Sequence, residues 1–141
     1  MIVDGLLIPD QLQAMLAEGR WPRTADEAAQ QNLHPRLPED RNRTLRRIRL
    51  HAPPFRTLAW TASGGGRGFY SAFGALHELV PEASVEIADF GHGADTPILL
   101  DYRAGTTEPR VIQLEWPDRG EANYWVVMAE NFAEFVDLLG L

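Results

Sequence analysis

From Ser84 onward the chain repeats one pattern: a short apolar run, then a cluster of turn residues. The runs are Ser84 to Phe90, Pro97 to Tyr102, Arg110 to Trp116 and Asn123 to Ala129. Between them stand Gly91-His92-Gly93, Ala104-Gly105-Thr106 and Pro117-Asp118-Arg119-Gly120. Such runs fit strands, and the connections are too short for the crossover that a parallel pair requires. Consecutive strands must therefore pair antiparallel. Asn131 then reads as a helix N-cap with Glu134 as its capping-box partner. The helix runs to about Leu139 with Phe132, Phe135, Val136 and Leu139 on one face, and Gly140 ends it. An apolar helix face needs a sheet to cover.

The N-terminal half supplies helices. Asp10 to Glu18 carries Leu12, Met15 and Leu16 at helical spacing, with Gly19 as a stop. Thr24-Ala25-Asp26-Glu27 is a capping-box pattern that starts a helix from Ala25 to about Asn32. His34 to Asn42 reads as loop. Arg47 to His51 alternates as a half-buried strand and ends at Pro53-Pro54. Arg56 to Thr61 reads as a further strand with Leu58 and Trp60 on one face. Ser63 to Gly68 is too glycine-rich for either element, and Phe69 to Val80 predicts a short helix stopped by Pro81. The expected fold class is α+β: one domain over residues 1–141, a mostly antiparallel four- to six-stranded sheet, N-terminal helices, and a C-terminal helix packed on the sheet.

With 141 residues the chain can bury roughly 68% of its unfolded surface and needs no staple. It has no cysteine, which excludes a disulfide framework, a zinc–cysteine site and a thiol nucleophile. Met1 to Pro9 lacks the pattern of a signal peptide, and no stretch approaches the roughly 20 apolar residues of a membrane span. A cytoplasmic, soluble protein is expected. The net charge is −7, unevenly placed. Arg20 to Arg56 holds nine arginines against four acids, a balance of +5. Thr57 to Leu141 holds four arginines against thirteen acids, a balance of −9. Every base is arginine, which a codon bias explains, but the asymmetry has physical content: an acidic half steers a basic partner.

Motifs for chemistry are weak. Gly64-Gly65-Gly66-Arg67-Gly68 is no phosphate loop, because that loop needs a lysine and the chain has none. Asp89-Phe90-Gly91 matches a kinase metal-binding triplet, but the strand lysine and the catalytic loop are missing. Asp89, His92, Asp95 and Asp101 are the densest group of metal-ligand types. Their spacing fits no known loop, and turn chemistry explains the aspartates better. Ser63, Ser71 and Ser84 lie in no nucleophile elbow, and His34, His51, His77 and His92 are scattered. Arg41, Arg43, Arg46, Arg47 and Arg49 form the one basic cluster. It lacks interleaved aromatics in an acidic chain, which argues for a solvated or salt-bridged face against nucleic-acid binding.

The run Ser84 to Arg103, with Asp89-Phe90-Gly91-His92-Gly93 and Asp101-Tyr102-Arg103, resembles the central strand pair of the SUKH superfamily. The continuation through Pro109-Arg110-Val111, Trp116, Trp125-Val126-Val127 and Phe132-Ala133-Glu134-Phe135 extends the resemblance over residues 84–141. Leu37-Pro38-Glu39-Asp40-Arg41 matches the family's Leu-Pro-x-x-Tyr segment only in part, and its Asn-Gly turn is absent. That superfamily includes the yeast cell-wall assembly regulator and many bacterial immunity proteins. The resemblance implies a non-enzymatic scaffold that binds a protein partner, foremost an immunity protein that neutralises a cognate toxin such as a nuclease. The alternatives are a regulatory interaction protein of cell-wall or signalling type and, last, a small metal-dependent enzyme. The candidate partner-binding residues are Asp89, His92, Asp95, Asp101, Tyr102, Arg103 and Trp116. No catalytic residue, metal or cofactor is assigned. Trp21, Trp60, Trp116 and Trp125 are candidate anchors, with core burial as the competing role.

Overall fold

The computed structural model describes residues 1–31, 48–63, 79–91, 96–103, 107–115 and 123–141. In chain order it contains β1 (Ile2–Val3), β2 (Leu6–Leu7), α1 (Asp10–Glu18), α2 (Ala25–Gln30), β3 (Arg49–Leu50), β4 (Arg56–Thr57) and α3 (Leu58–Thr61). A 3-10 turn at Pro81–Ala83 leads into β5 (Ser84–Asp89), β6 (Pro97–Asp101), β7 (Arg110–Glu115), β8 (Tyr124–Ala129) and α4 (Phe132–Leu139). The main sheet has six strands in the order β3-β5-β6-β7-β8, with β4 also paired to β5, and every pairing is antiparallel. The α+β class, the antiparallel sheet and the C-terminal helix packed on it are as the sequence predicts. None of the described helices is long and apolar enough to cross a membrane. The polar loop at 34–42, the glycine run at 64–68 and most of the helix expected over 69–80 lie outside the described residues.

Alternation along the strands gives the sheet two apolar faces. One face carries Val85, Ile87, Ile98, Leu100 and Val111 and is covered by Leu12 and Met15 of α1, Trp21, and Phe132 and Phe135 of α4. The opposite face carries Leu99, Ile112 and Leu114, packed with Leu58 of α3 and Leu79. Helices α2 and α4 start as the capping pattern requires, with one shift. Thr24 Oγ1 accepts the Glu27 N–H and Asn131 Oδ1 accepts the Glu134 N–H. The glutamates, however, reach one residue further back than a capping box, to the N–H of Arg23 and of Glu130.

Two segments depart from expectation. Arg56 to Thr61 is not one strand. Pairing stops at Thr57, whose Oγ1 accepts the Trp60 N–H and starts one helical turn. Leu58 is therefore fully buried while Trp60 is 56% exposed, so the two do not share a face. The second departure is an N-terminal hairpin. Ile2 pairs with Leu7 and Val3 with Leu6 around Asp4-Gly5, both at positive φ, as the mirror-image turn between strands demands. The buried Tyr102 hydroxyl donates to the Leu7 carbonyl at 2.7 Å and ties this hairpin to the sheet.

Among the described residues, the edge of β3 away from β5 is met by a side chain. The Gln31 amide donates to the Leu50 carbonyl and accepts the Leu50 N–H, both at 2.6 Å. One carboxamide thus satisfies there the N–H and carbonyl that a neighbouring strand would pair with.

Candidate functional site

Strand order decides which candidate residues can act together. Asp89 stands opposite Pro97 and Asp101 opposite Ser84 on the same strand pair. They lie at opposite ends of it, roughly 16 Å apart along the strands. A metal set that includes both cannot converge, and among the described residues no group of three His, Cys, Asp or Glu could hold a metal ion. His92, Asp95 and Trp116 lie outside the described residues.

Both aspartates do make turn bonds. Asp89 Oδ1 accepts the Gly91 N–H, and Asp101 Oδ1 accepts the Arg103 N–H. At the Asp101 end the carboxylate is buried and holds two cations. Arg103 meets both of its oxygens at 3.0 and 3.1 Å, and Arg110 reaches Oδ2 at 2.9 Å. Burial pushes this carboxyl's pKa up, but the Arg103 side chain and N–H and the Arg110 guanidinium outweigh it, and the pKa falls below the usual range. Tyr102 beside it is buried, which pushes its phenol up. Asp101 and Tyr102 therefore shape this end of the molecule, and of the candidates Asp101, Tyr102 and Arg103 only Arg103 is exposed.

The Asp89 end is richer. A bulge between Glu86 and Ala88 shifts the β5 register, so Ile87 and Ala88 both enter the first core. The alternation is thereby reset, and Glu86 and Asp89 emerge on the same face. On β3, Leu50 points into the first core, so Arg49 and His51 on either side of it join them. His51 Nε2 meets Asp89 Oδ2 at 2.7 Å; the histidine side chain is 31% exposed and the carboxylate 4%. Arg49, opposite Asp89 in register, is exposed and has no ion pair among the described residues.

Glu86 completes the cluster from below. Its Oε1 is buried without a hydrogen-bond partner. Burial raises its pKa, the neighbouring Asp89 charge adds to that, and His51 and the Thr61 hydroxyl oppose it. Arg56, opposite Glu86 in register, stacks over the Trp60 ring at 4.6 Å from its centroid. The sign for stability follows from the raised pKa: the folded state holds this proton more tightly than the unfolded chain. Glu86 then favours folding at low pH and opposes it once pH passes the folded value. Glu86→Gln is expected to stabilise the protein on the order of 1 kcal/mol near neutrality and to give no gain near the ordinary carboxyl pKa. Thermal melts across pH test this; a gain that does not change with pH would contradict it.

Two grooves adjoin these residues. One, of about 420 Å³, runs between α2 and the segment after β3 and is lined by Ala25, Ala28, Ala29, Arg49, His51 and Pro53-Pro54 among others. The other, of about 300 Å³, lies where the start of α1, the approach to β7 and the start of α4 meet; Asp10, Gln11, Thr107, Glu108 and Asn131 supply its polar lining, with no arginine. Glu130, Glu134 and Asp137 stand exposed on and just before α4. Of the tryptophans, Trp21 is buried in the first core, Trp125 is half-buried against the second, and Trp60 is exposed. No protein-family model, curated protein or solved structure matches this chain.

Proposed function

We propose that this chain is a non-enzymatic, SUKH-like binding scaffold that acts as an immunity protein, neutralising a basic toxin such as a nuclease. One observation carries the choice of partner charge. A groove at the start of α4 holds Asp10 of α1 and Glu108 of the acidic C-terminal half and no base in its lining, and Glu130, Glu134 and Asp137 of that half stand exposed on and just before the same helix. Part of that acidity serves the start of α4, where Glu134 stands in the first turn. Glu108, Glu130 and Asp137 make no side-chain bond among the described residues, which leaves their carboxylates to face a partner. Complementary charge speeds encounter and rejects wrong partners. The resemblance over residues 84–141 supports the same choice.

The test is co-expression with the product of a neighbouring toxin-like gene. Wild type is expected to form a complex and restore growth. The triple variant Glu108→Lys, Glu130→Lys, Asp137→Lys is expected to slow association by roughly tenfold or more at low salt, and high salt should shrink the difference. No complex and no growth rescue by wild type would reject the proposal, as would an unchanged association rate in the triple variant.

A further inference from the structure

We propose that Arg56 switches between two neighbours: it lies over the Trp60 ring while Glu86 holds its proton, and swings to the Glu86 carboxylate when that proton is lost. Strand register puts both neighbours within its reach. Arg56 stands directly opposite Glu86 on the β4–β5 pair. Residues so placed carry their side chains on one face, with Cβ atoms roughly 5 Å apart. The guanidinium nevertheless sits 4.6 Å from the centroid of Trp60 and forms no ion pair with a described acid. Glu86, across from it, keeps Oε1 buried without a hydrogen-bond partner. A cation and an acid thus face each other on one strand pair and do not meet. That arrangement suits a neutral carboxyl, because a buried carboxylate without a partner is costly.

The other groups around Glu86 do not supply that partner. Among the described residues, β3 brings Arg49 and His51, β5 brings Asp89, α3 brings only the Thr61 hydroxyl, and β6 places Leu99 opposite. His51 is held by Asp89 at 2.7 Å, and Arg49 stands opposite Asp89, not Glu86. Arg56 is therefore the cation placed to answer a charge on Glu86. Relative strengths set the direction of the swing. A cation–π contact at an exposed ring is weak, and Trp60 is 56% exposed. A charge-assisted bond to a carboxylate that is otherwise buried and unpaired is stronger. The swing offsets only part of the cost of burying the charge, so Glu86 still titrates above the ordinary carboxyl range. It also bares an indole, the side chain most at home as an interface anchor. Presentation of the Trp60 ring is thereby tied to pH. None of these residues lines the acidic groove at α4, so the switch does not depend on the immunity role.

The test uses the full chain labelled with fluorinated tryptophan and fluorine NMR from about pH 4 to about pH 8, the span above the ordinary carboxyl value. Trp60→Phe identifies the Trp60 signal. In wild type that signal is expected to move together with the ionisation of Glu86, which carbon-13 carboxyl NMR follows separately. Glu86→Gln should hold the signal flat at its acid position. Arg56→Gln should hold it flat near the position that wild type reaches at the upper end. Arg56→Gln should also raise the Glu86 midpoint by roughly one pH unit, a tenfold gain in proton affinity. Arg56 is exposed, and unchanged amide spectra will show that variant folded. A Trp60 signal that stays flat in wild type, a transition that survives Glu86→Gln, or a Glu86 midpoint that Arg56→Gln leaves in place would each overturn the proposal. A surviving transition would belong to His51 instead.

Discussion

Replacing Asp101 with alanine is expected to destabilise the protein by about 3 kcal/mol at neutral pH. Its side chain is fully buried, while those of Arg103 and Arg110 keep about a third of their surface in water. A buried carboxylate of this kind is costly to desolvate, and two guanidiniums and an N–H offset that cost. Removal of one partner from a fully buried pair typically costs 3–5 kcal/mol. The arginines here can turn to solvent, so the lower end applies. Asp101→Asn should lose nearly as much, because its amide donors would face guanidinium donors. The pH dependence has a definite sign. The folded pKa lies below the ordinary value, so the stabilisation is complete above the unfolded pKa, near 4. It disappears as pH falls through the folded value. Urea unfolding at a series of pH values is the measurement. The gap between wild type and Asp101→Ala should close in acid; a gap that stays constant would place the contribution in shape, not in charge.

That ion cluster and the Asp89 cluster show what the sequence could disclose and what it could not. Local signals held. Asn131 with Glu134, Thr24 with Glu27, and the alternating runs after Ser84 are all decided by residues within a turn or strand of one another. The hairpin at Ile2–Leu7 was not expected, although Asp4-Gly5 between apolar pairs is a short-range hairpin signal that could have found it. Thr57 hid its role because an N-cap without an acid three residues on looks like any strand threonine. His51 and Asp89, by contrast, are 38 positions apart. Their meeting depends on the β3–β5 register and on a bulge beside Ile87. Simple alternation from Glu86 would send Asp89 to the other face. The separation of Asp89 from Asp101 is likewise a consequence of strand order, which no local pattern encodes. Trp21 is the same case among aromatics: nothing in Arg20-Trp21-Pro22 tells a core ring from a surface anchor.

Trp21→Ala is expected to cost about 4 kcal/mol, in the range of large aromatic truncations in well-packed cores. The ring is 1% exposed and sits 5.8 Å from Phe132 of α4, centroid to centroid. It joins α1 and α4 to the sheet, so a cavity there would loosen three elements together. The indole has a second task. Its Nε1–H donates to the His51 carbonyl at 2.8 Å. Trp21→Phe keeps most of the packing and leaves that carbonyl without its donor, for an expected loss of about 1–2 kcal/mol. The two variants therefore separate packing from anchoring. Urea unfolding followed by far-ultraviolet circular dichroism gives the stabilities, since fluorescence would change with the probe itself. Native-state amide exchange gives the location. Trp21→Phe should speed exchange around Arg49–His51 selectively, because the lost bond held the chain at His51, whereas Trp21→Ala should speed exchange in α4 as well. If Trp21→Phe leaves exchange near His51 unchanged, the indole bond does not position β3. The alignment of Arg49 and His51 along the groove would then have to come from the Gln31 amide and the β5 pairing alone.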